Sequence, residues 1–274
     1  MKIFNTNNND FIFIGDIHGN FRLLIYKLEQ LGISNVNIIV CGDIALGFHK
    51  KLYYTNEFKK IQRKLSKLNI HLYFFRGNHD DPEYFENEEI KSEILKFSKN
   101  IHILNDYDVI KHPKYNIIVI GGAISIDRSE RWKWDKMTQT IVNDGYWPNE
   151  IIKPIPDNYI NELYENGINK IDIVCSHSAP MFCPPYGKNG LEFYAEHDDK
   201  LLEDCDKERN HLESIFNILE YNFPMIKYWF YGHFHKSYSY EYKNIRFYGL
   251  DKIREDGKLT PKEIFDYVEE ERDY

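Results

Sequence analysis

Residues 11–43 read FIFIGDIHGNFRLLIYKLEQLGISNVNIIVCGD, and this stretch predicts a strand, a helix and a second strand. Each apolar run ends in a glycine followed by an aspartate, at Gly15–Asp16 and at Gly42–Asp43. Between them, residues 21–31 place apolar side chains at helical spacing, and Gly32 follows as a C-cap. Because strand–helix–strand repetition favours parallel pairing, the stretch indicates an α/β fold.

The same alternation continues along the chain. Apolar runs predict further strands at 70–75, 117–120, 171–175 and 226–231, and helical spacing predicts helices at 55–68 and 198–220. An alternating stretch at 237–249 indicates a hairpin. Near the end, Thr260 and Glu263 form a capping box around Pro261, which predicts a short helix over 261–270.

The composition is that of a folded protein, with 42% hydrophobic and 28% charged residues in 274. We expect one domain over residues 1–250 and a tail over 251–274 whose short helix packs on it. No apolar run approaches the roughly 20 residues needed to span a bilayer, and no secretory signal is evident, so we expect a cytoplasmic protein without membrane association. A net charge of −8 without a basic block lacks the electrostatic signature of non-specific nucleic-acid binding.

Side chains that bind metals follow five of the predicted strands. They are Asp16 and His18, Asp43, Asn78 and His79, His177, and His233 and His235. Because ligands of open α/β sheets collect beyond the carboxyl ends of the strands, we expect these residues to converge on one rim. Imidazoles, carboxylates and an amide suit Zn²⁺, Mn²⁺ or Fe²⁺. The spacing of Asp16 and His18 predicts that both point the same way from an extended chain.

Five short strings resemble the signature blocks of the calcineurin-like metallophosphoesterases. They are GDIHG (15–19), GD (42–43), GNHD (77–80), SH (176–177) and GHFH (232–235), in that order. The resemblance extends over residues 11–249 and makes residues 1–250 the metallophosphoesterase domain. It implies a four-layer α/β/β/α sandwich and a phosphoester hydrolase that binds two divalent cations, with Mn, Fe, Zn and Ni as candidates.

The resemblance also implies how the ligands are shared. One cation would be held by Asp16, His18 and His235, and the other by Asn78, His177 and His233, with Asp43 bridging them. Two cations in such sites lie roughly 3.5–4 Å apart and clamp an in-line displacement at phosphorus. The nucleophile implied is a bridging hydroxide, formed because the cations lower the pKa of a water.

Three residues of the third block are candidates for the catalytic steps. In the family the histidine of this block protonates the leaving oxygen, which assigns that role to His79 and an orienting role to Asp80. Arg76 resembles the arginine that grips phosphate in the Ser/Thr protein phosphatase branch, and a surface ion pair is an equally good interpretation. The second block lacks the Asp–Arg pair of that branch, and the third ends in Asp80 rather than Glu, which argues against a phosphoprotein substrate.

Residues 123–150 contain Trp132, Trp134 and Trp147 and carry Arg128, a further candidate for substrate binding. One interpretation is a substrate rim or lid, in which an aromatic ring stacks on a base. The other is an irregular insertion that packs its own aromatic side chains on the surface.

These patterns predict a phosphomonoesterase that acts on a nucleotide or another small phosphometabolite. A phosphodiesterase or nuclease is the alternative within the same class, although the net charge does not support a nucleic-acid substrate. A non-catalytic metal-binding scaffold is the alternative from another class. The presence of every ligand and of His79 counts against it. The sequence leaves the substrate, the native metals and the oligomeric state open.

Overall fold

A computed structural model describes residues 1–6, 10–135, 140–186, 190–254 and 266–267 of the chain. The strands are β1 (Ile3–Asn5), β2 (Asp10–Ile14), β3 (Val36–Val40), β4 (His71–Phe74), β5 (Ile101–Ile103), β6 (Val109–Lys111), β7 (Asn116–Ile120), β8 (Trp132–Asp135), β9 (Thr140–Asn143), β10 (Ile173–Ser176), β11 (Tyr228–Tyr231), β12 (Tyr238–Tyr242), β13 (Ile245–Gly249) and β14 (Asp266–Tyr267). The helices are α1 (Phe21–Gln30), α2 (Lys51–Leu68), α3 (Glu83–Glu86), α4 (Glu88–Ile94), α5 (Arg128–Arg131), α6 (Tyr159–Glu165), α7 (Leu191–Ala195) and α8 (Leu201–Asn222).

Two sheets organise these elements. One has the strand order β14-β2-β3-β4-β5, and the other has the order β1-β6-β7-β10-β11-β13-β12. The strands β2, β3, β4 and β5 pair in parallel, as do β7, β10, β11 and β13. The predicted hairpin forms from β12 and β13, which pair antiparallel. The predicted α/β class is therefore confirmed.

Three apolar cores separate the layers. The first lies between one face of the five-stranded sheet and α1, α2 and α4. The second lies between the seven-stranded sheet and α6 and α8. The third lies between the two sheets, where Phe13 of β2 stacks on Phe230 of β11 with ring centroids 3.7 Å apart. Apolar residues on both faces of each sheet explain why these strands read as continuous apolar runs.

The first helix shows how the sequence sets local structure. Phe21, Leu24 and Leu28 lie on its buried face, as their spacing predicts. After the C-cap, Gly32 adopts a left-handed conformation with φ of +68°. The Ile33 N–H then bonds to the Leu28 carbonyl at 3.0 Å, which completes a Schellman motif. The helix therefore ends where its glycine was expected to end it.

The predicted C-terminal helix is wrong where the structure describes it. Residues 266–267 form β14, which pairs antiparallel with β2 at Phe13 and Ile12. The rest of the range 261–270 lies outside the described residues. The physical reason is the edge of the five-stranded sheet, where β2 would otherwise leave its backbone groups unpaired.

Residues 123–150 leave the seven-stranded sheet after β7. They contain α5 and a separate two-stranded sheet of β8 and β9. We call this segment the excursion. Among the helices that the structure describes, none combines the length and the apolar character that a bilayer crossing requires.

The stack between the sheets predicts a large loss of stability for Phe13→Ala. Removing a fully buried phenyl ring leaves a cavity between two sheets that cannot collapse, so the free energy of unfolding should fall by about 3–5 kcal/mol. Denaturant unfolding measures this difference. Phe193→Ala is the matched control, because Phe193 is 59% exposed on α7 and its loss should cost less than about 1 kcal/mol. Equal losses in the two variants would contradict the prediction.

Candidate metal centre

Parallel register brings the predicted ligands to one edge of the fold. Ile14 of β2 pairs with Val40 of β3, and Val40 pairs with Phe74 of β4, so these strands end side by side. In the other sheet, Ser176 of β10 pairs with Tyr231 of β11. The loops that follow these five strands carry all seven expected ligands. The two sheets therefore contribute to one site from opposite sides of the core between them.

Four side chains form the first cluster, which consists of Asp16, His18, Asp43 and His235. One ligand atom from each lies within 4.8 Å of the others. The Nε2 atoms of His18 and His235 are 3.1 Å apart, and Asp16 Oδ2 lies 2.9 Å from His235 Nε2. Converging imidazole and carboxylate atoms of this kind are the donor set of a divalent cation.

Asp43 also belongs to a second cluster with Asn78, His177 and His233. Its Oδ1 lies 3.1 Å from His177 Nε2. The Asn78 Oδ1 lies 2.9 Å from both His177 Nε2 and His233 Nδ1. The second nitrogen of His177, Nδ1, donates to the Cys41 carbonyl oxygen at 2.7 Å, so Nε2 is the nitrogen that faces the cluster.

The electrostatics of the clusters fit a cation. Asp16 and Asp43 are buried, and burial by itself raises the pKa of each carboxyl, but the neighbouring histidines outweigh burial and lower both pKa values. Burial disfavours the charged form of His177, but the carboxylate of Asp43 outweighs burial and raises the pKa of His177 to about 10. Burial lowers the pKa of His233 to about 3, which leaves a neutral ligand. A cation must displace the His177 proton, so its affinity should rise with pH.

Four of the ligands do not project from extended chain, which corrects the expectation for His18. His18, Asp43, His233 and His235 all have positive φ, between 44° and 68°. A non-glycine residue in this conformation costs of order 1–3 kcal/mol, and such residues cluster at functional sites. Here the tight turns point the side chains of successive ligands back into the site.

Glycines of the blocks allow this close approach. A Cβ on Gly77 would overlap Asp43 Oδ1 and lie 2.7 Å from His177 Nε2. A Cβ on Gly232 would overlap Asp16 Oδ1 and lie 2.6 Å from the Cys41 carbonyl oxygen. The glycines beside the ligands are therefore needed for space at the positions where two loops touch.

His79 lies at the edge of both clusters and lines the adjoining cavity. Its backbone N–H donates to Asp43 Oδ1 at 2.8 Å. Its ring contacts Arg131 of the excursion, whose Nη2 lies 2.9 Å from Nδ1 and 3.1 Å from Nε2. Burial and the positive charge of Arg131 lower the pKa of His79. The contact between Arg131 and His79 was not predicted from the sequence, because no local pattern links residues 52 positions apart.

Among the described residues, the carboxyl of Asp80 bonds to backbone groups and not to the His79 ring, so an orienting role for Asp80 stays a prediction. Its carboxyl accepts backbone hydrogen bonds from Ile44, Leu46 and Gly77, at 2.7–3.1 Å. Burial and the nearby charge of Asp43 raise the pKa of Asp80 to about 7. Asp80 therefore links the loop after β3, which carries Asp43, to the loop after β4, which carries Asn78.

The position of Arg76 also differs from the one that phosphate binding would require. Its buried guanidinium donates to Asp106 and to the carbonyl groups of Glu150 and Ile151. It does not line the cavity, so the structure does not support the prediction that it grips phosphate. Arg76 instead anchors the end of the excursion, because its long side chain reaches the two carbonyls there.

Arg128 is similarly occupied. It forms ion pairs with Asp198, at 2.6 Å, and with Asp204 of α8, at 2.7 Å. These carboxylates raise its pKa and hold the guanidinium outside the cavity lining. The structure therefore does not support the expected contact between Arg128 and substrate.

A cavity of about 1250 Å³ adjoins the two clusters. Its wall is largely apolar, with carboxylates and cationic groups interspersed; among its lining residues are Ile124, Ile126, Asp127, Met181, Pro185, Tyr194, Glu208, Phe234, Lys236 and Lys252. Three residues of the excursion, Ile124, Ile126 and Asp127, line this cavity. Trp147 packs edge-on against Phe48, and Trp132 against Tyr146, so neither indole lines the cavity.

Comparison with known proteins identifies the family. A family model described as calcineurin-like phosphoesterase matches residues 10–237. A dimetal phosphatase from Danio rerio has a similar structure at 11% identity and a TM-score of 0.45, with 90% of this chain and 88% of that chain covered. A phosphopantetheinyl hydrolase from Mycobacterium tuberculosis is similar at 14% identity and a TM-score of 0.41, with 89% of each chain covered. A search of curated protein sequences gives no significant match.

We predict that Gly77→Ala weakens divalent metal binding at least about tenfold, because its Cβ displaces Asp43 and His177. Calorimetric titration with Mn²⁺ and Zn²⁺ measures the affinity. Gly167→Ala is the control, since no atom lies within 4 Å of its added Cβ. Its φ of +71° predicts a stability cost of about 1–2 kcal/mol and unchanged metal affinity. Unchanged affinity in the Gly77 variant would show that the approach of the two loops is not needed.

Glu150 supports the second cluster through a chain of hydrogen bonds. Asn78 Nδ2 donates to Ser125 Oγ at 3.0 Å, which turns Asn78 Oδ1 toward the histidines. The Ser125 hydroxyl and N–H both contact the Glu150 carboxyl, at 2.7 and 2.6 Å. Burial raises the pKa of Glu150 to about 8, although the bonds from Ser125 act in the opposite direction.

This shift predicts a pH-dependent stability. The folded protein keeps a proton on Glu150 that the unfolded chain releases above its ordinary pKa of 4.5, so the free energy of unfolding falls between pH 4.5 and about 8. The slope is at most about 1.4 kcal/mol per pH unit. Glu150→Gln should flatten this fall in denaturant unfolding series at pH 5 and pH 8. Glu130→Gln, an exposed change on α5, should leave it intact, and equal pH profiles for all three proteins would refute the assignment.

Proposed function

The chain belongs to the calcineurin-like phosphoesterase family and is a phosphoester hydrolase, and we propose that it is a phosphomonoesterase for nucleotides or other small phosphometabolites that works with two bound divalent cations. One observation carries the proposal: the seven expected ligands converge beside a histidine that lines a cavity of about 1250 Å³. Four of these ligands lie in strained left-handed turns, which are typical of functional sites.

The ligands divide as the two clusters suggest. One cation is assigned to Asp16, His18 and His235, and the other to Asn78, His177 and His233, with Asp43 between them. When bound, the cations supply Lewis acidity and the activation of a water nucleophile. Asp43 contributes one oxygen to each cluster, because Oδ2 lies 4.0 Å from His18 Nε2 while Oδ1 faces His177.

His79 is assigned to the leaving group. In the substrate-free site it is held neutral, since burial and Arg131 lower its pKa. A phosphoryl dianion beside the ring has the opposite effect and favours the protonated form. The protonated ring can then give its proton to the leaving oxygen, while its backbone bond to Asp43 keeps it at the cluster.

A phosphodiesterase is the second candidate. Its support is the cavity volume of about 1250 Å³, which exceeds that of a usual small-molecule site and leaves room for groups on two sides of a phosphorus atom. The monoester is favoured over a nucleic acid because carboxylates such as Asp127 and Glu208 line the cavity beside its cationic groups. A continuous polyanion would meet these carboxylates.

A paired rate assay tests the proposal. Protein stripped with chelator and reloaded with Mn²⁺ is given an aryl phosphate monoester and an aryl phosphate diester. We expect metal-dependent turnover of the monoester and no turnover for Asp43→Asn. On an alkyl phosphate, whose leaving oxygen must be protonated, we expect a loss of at least about a hundredfold in kcat for His79→Ala. His211→Ala, a histidine change on α8 away from the cavity, is the control.

Three outcomes would overturn parts of this proposal. Turnover of the diester alone would establish the second candidate. Two cations bound without turnover of either ester would favour a metal-binding scaffold. Rates like the wild type in both His79→Ala and Asp43→Asn would refute the assigned mechanism.

A further inference from the structure

The excursion brings one cationic side chain to the metal centre. Arg131 is the last residue of α5, and only 14% of its side chain is exposed. Its Nε donates to Asp127 Oδ2 at 2.8 Å, and its Nη1 donates to the Gly145 carbonyl at 3.1 Å. Both partners belong to the excursion itself. The position of the guanidinium is therefore fixed by contacts within the excursion.

The contact with His79 is made through the face of the ring. Arg131 Nη2 is nearly equidistant from Nδ1 and Nε2, at 2.9 and 3.1 Å. A point in the ring plane at these distances would collide with Cε1, which lies between the two nitrogens. The guanidinium group must therefore sit above the ring. This arrangement leaves the in-plane direction of each nitrogen clear of Arg131, and no other described side chain hydrogen-bonds to the ring.

The excursion is docked beside the same histidine. The ring of Phe48 fills the space that Gly145 leaves open, where a Cβ would lie 2.7 Å from its Cζ. Trp147 packs edge-on against Phe48, with centroids 5.2 Å apart. Phe48 also lies 6.3 Å from His79 with the two rings nearly parallel. The aromatic contacts that seat the excursion thus determine where Arg131 lies relative to His79.

We propose that Arg131 is a positioning residue, which holds the His79 ring from one face so that a ring nitrogen meets the leaving-group oxygen in its own plane. This inference rests on the proposed function of His79. It assigns the excursion a catalytic purpose besides lining the cavity. It also explains why Arg131 is tied to Asp127 and Gly145, because a free arginine would swing toward an anionic substrate.

Leaving-group dependence tests the proposal. The leaving oxygen of an alkyl phosphate needs a proton, whereas the 4-nitrophenolate of 4-nitrophenyl phosphate leaves well without one. We expect Arg131→Met to lower kcat about 10–100-fold on the alkyl phosphate and less than about threefold on 4-nitrophenyl phosphate. His79→Ala should show the same selectivity, and the double variant should be no worse than His79→Ala.

Lys133→Met is the control, since Lys133 is an exposed cation of the same segment, on β8, and makes no contact with His79. It should leave the rates on both substrates unchanged. A second readout needs no metal and no turnover: in the metal-free protein, Arg131→Met should shift the NMR signals of the His79 ring, and Lys133→Met should not. The signals are assigned by their loss in His79→Ala.

The outcomes separate this inference from the proposed function. If the wild type turns over neither ester, the proposed function fails, and the ring signals alone decide whether Arg131 holds His79. If His79→Ala shows the leaving-group selectivity and Arg131→Met does not, the positioning role is refuted. An equal loss on both substrates that appears in KM would overturn it in favour of direct phosphate binding by Arg131. Unshifted ring signals would also overturn it.

Discussion

The site depends on the burial of one carboxylate between two histidine clusters. Asp43 is nearly inaccessible to solvent, and its two oxygens face different clusters while one of them also accepts the His79 N–H. An isolated carboxylate in such a place would be costly, and the neighbouring charge of Asp16 adds to the cost. Histidine contacts and a bound cation offset it. The loops of the centre are arranged so that these histidines contact Asp43.

Contact with Asp43 requires the loops of the centre to approach one another more closely than a Cβ atom at each position would permit. Glycines remove the Cβ atoms at Gly77 and Gly232, and left-handed turns aim four of the ligands inward. Groups outside the ligands hold these turns: Asp80 joins two of the loops through backbone N–H groups, and the Ser125–Glu150 pair orients the Asn78 amide. The strained turns of the ligands are thus held by buried hydrogen bonds, because the groups that form these bonds would be left unpaired if the turns relaxed.

The arginines show how the excursion contributes. Arg76 binds carbonyl groups at its end, Arg128 pins its helix to Asp198 and α8, and Arg131 lies over His79. Two of the three secure the segment, and the third brings a charge to the site. A guanidinium has five donors in a fixed plane, which suits it both to carbonyl anchoring and to contact with a ring face. The cavity wall and the environment of His79 are consequently built by the same piece of chain.

The sequence by itself determined the α/β class, the order of the main strands and helices, and the residues that line the centre. These are local properties, because a ligand at the end of a strand is placed by the strand and the sheet register carries it to the common edge. Only the tertiary structure decided which arginine reaches the site, what Asp80 holds, and that residues 266–267 complete a sheet. Each of these depends on where an irregular segment packs, and contacts across 34 to 255 residues leave no periodic signal in the chain.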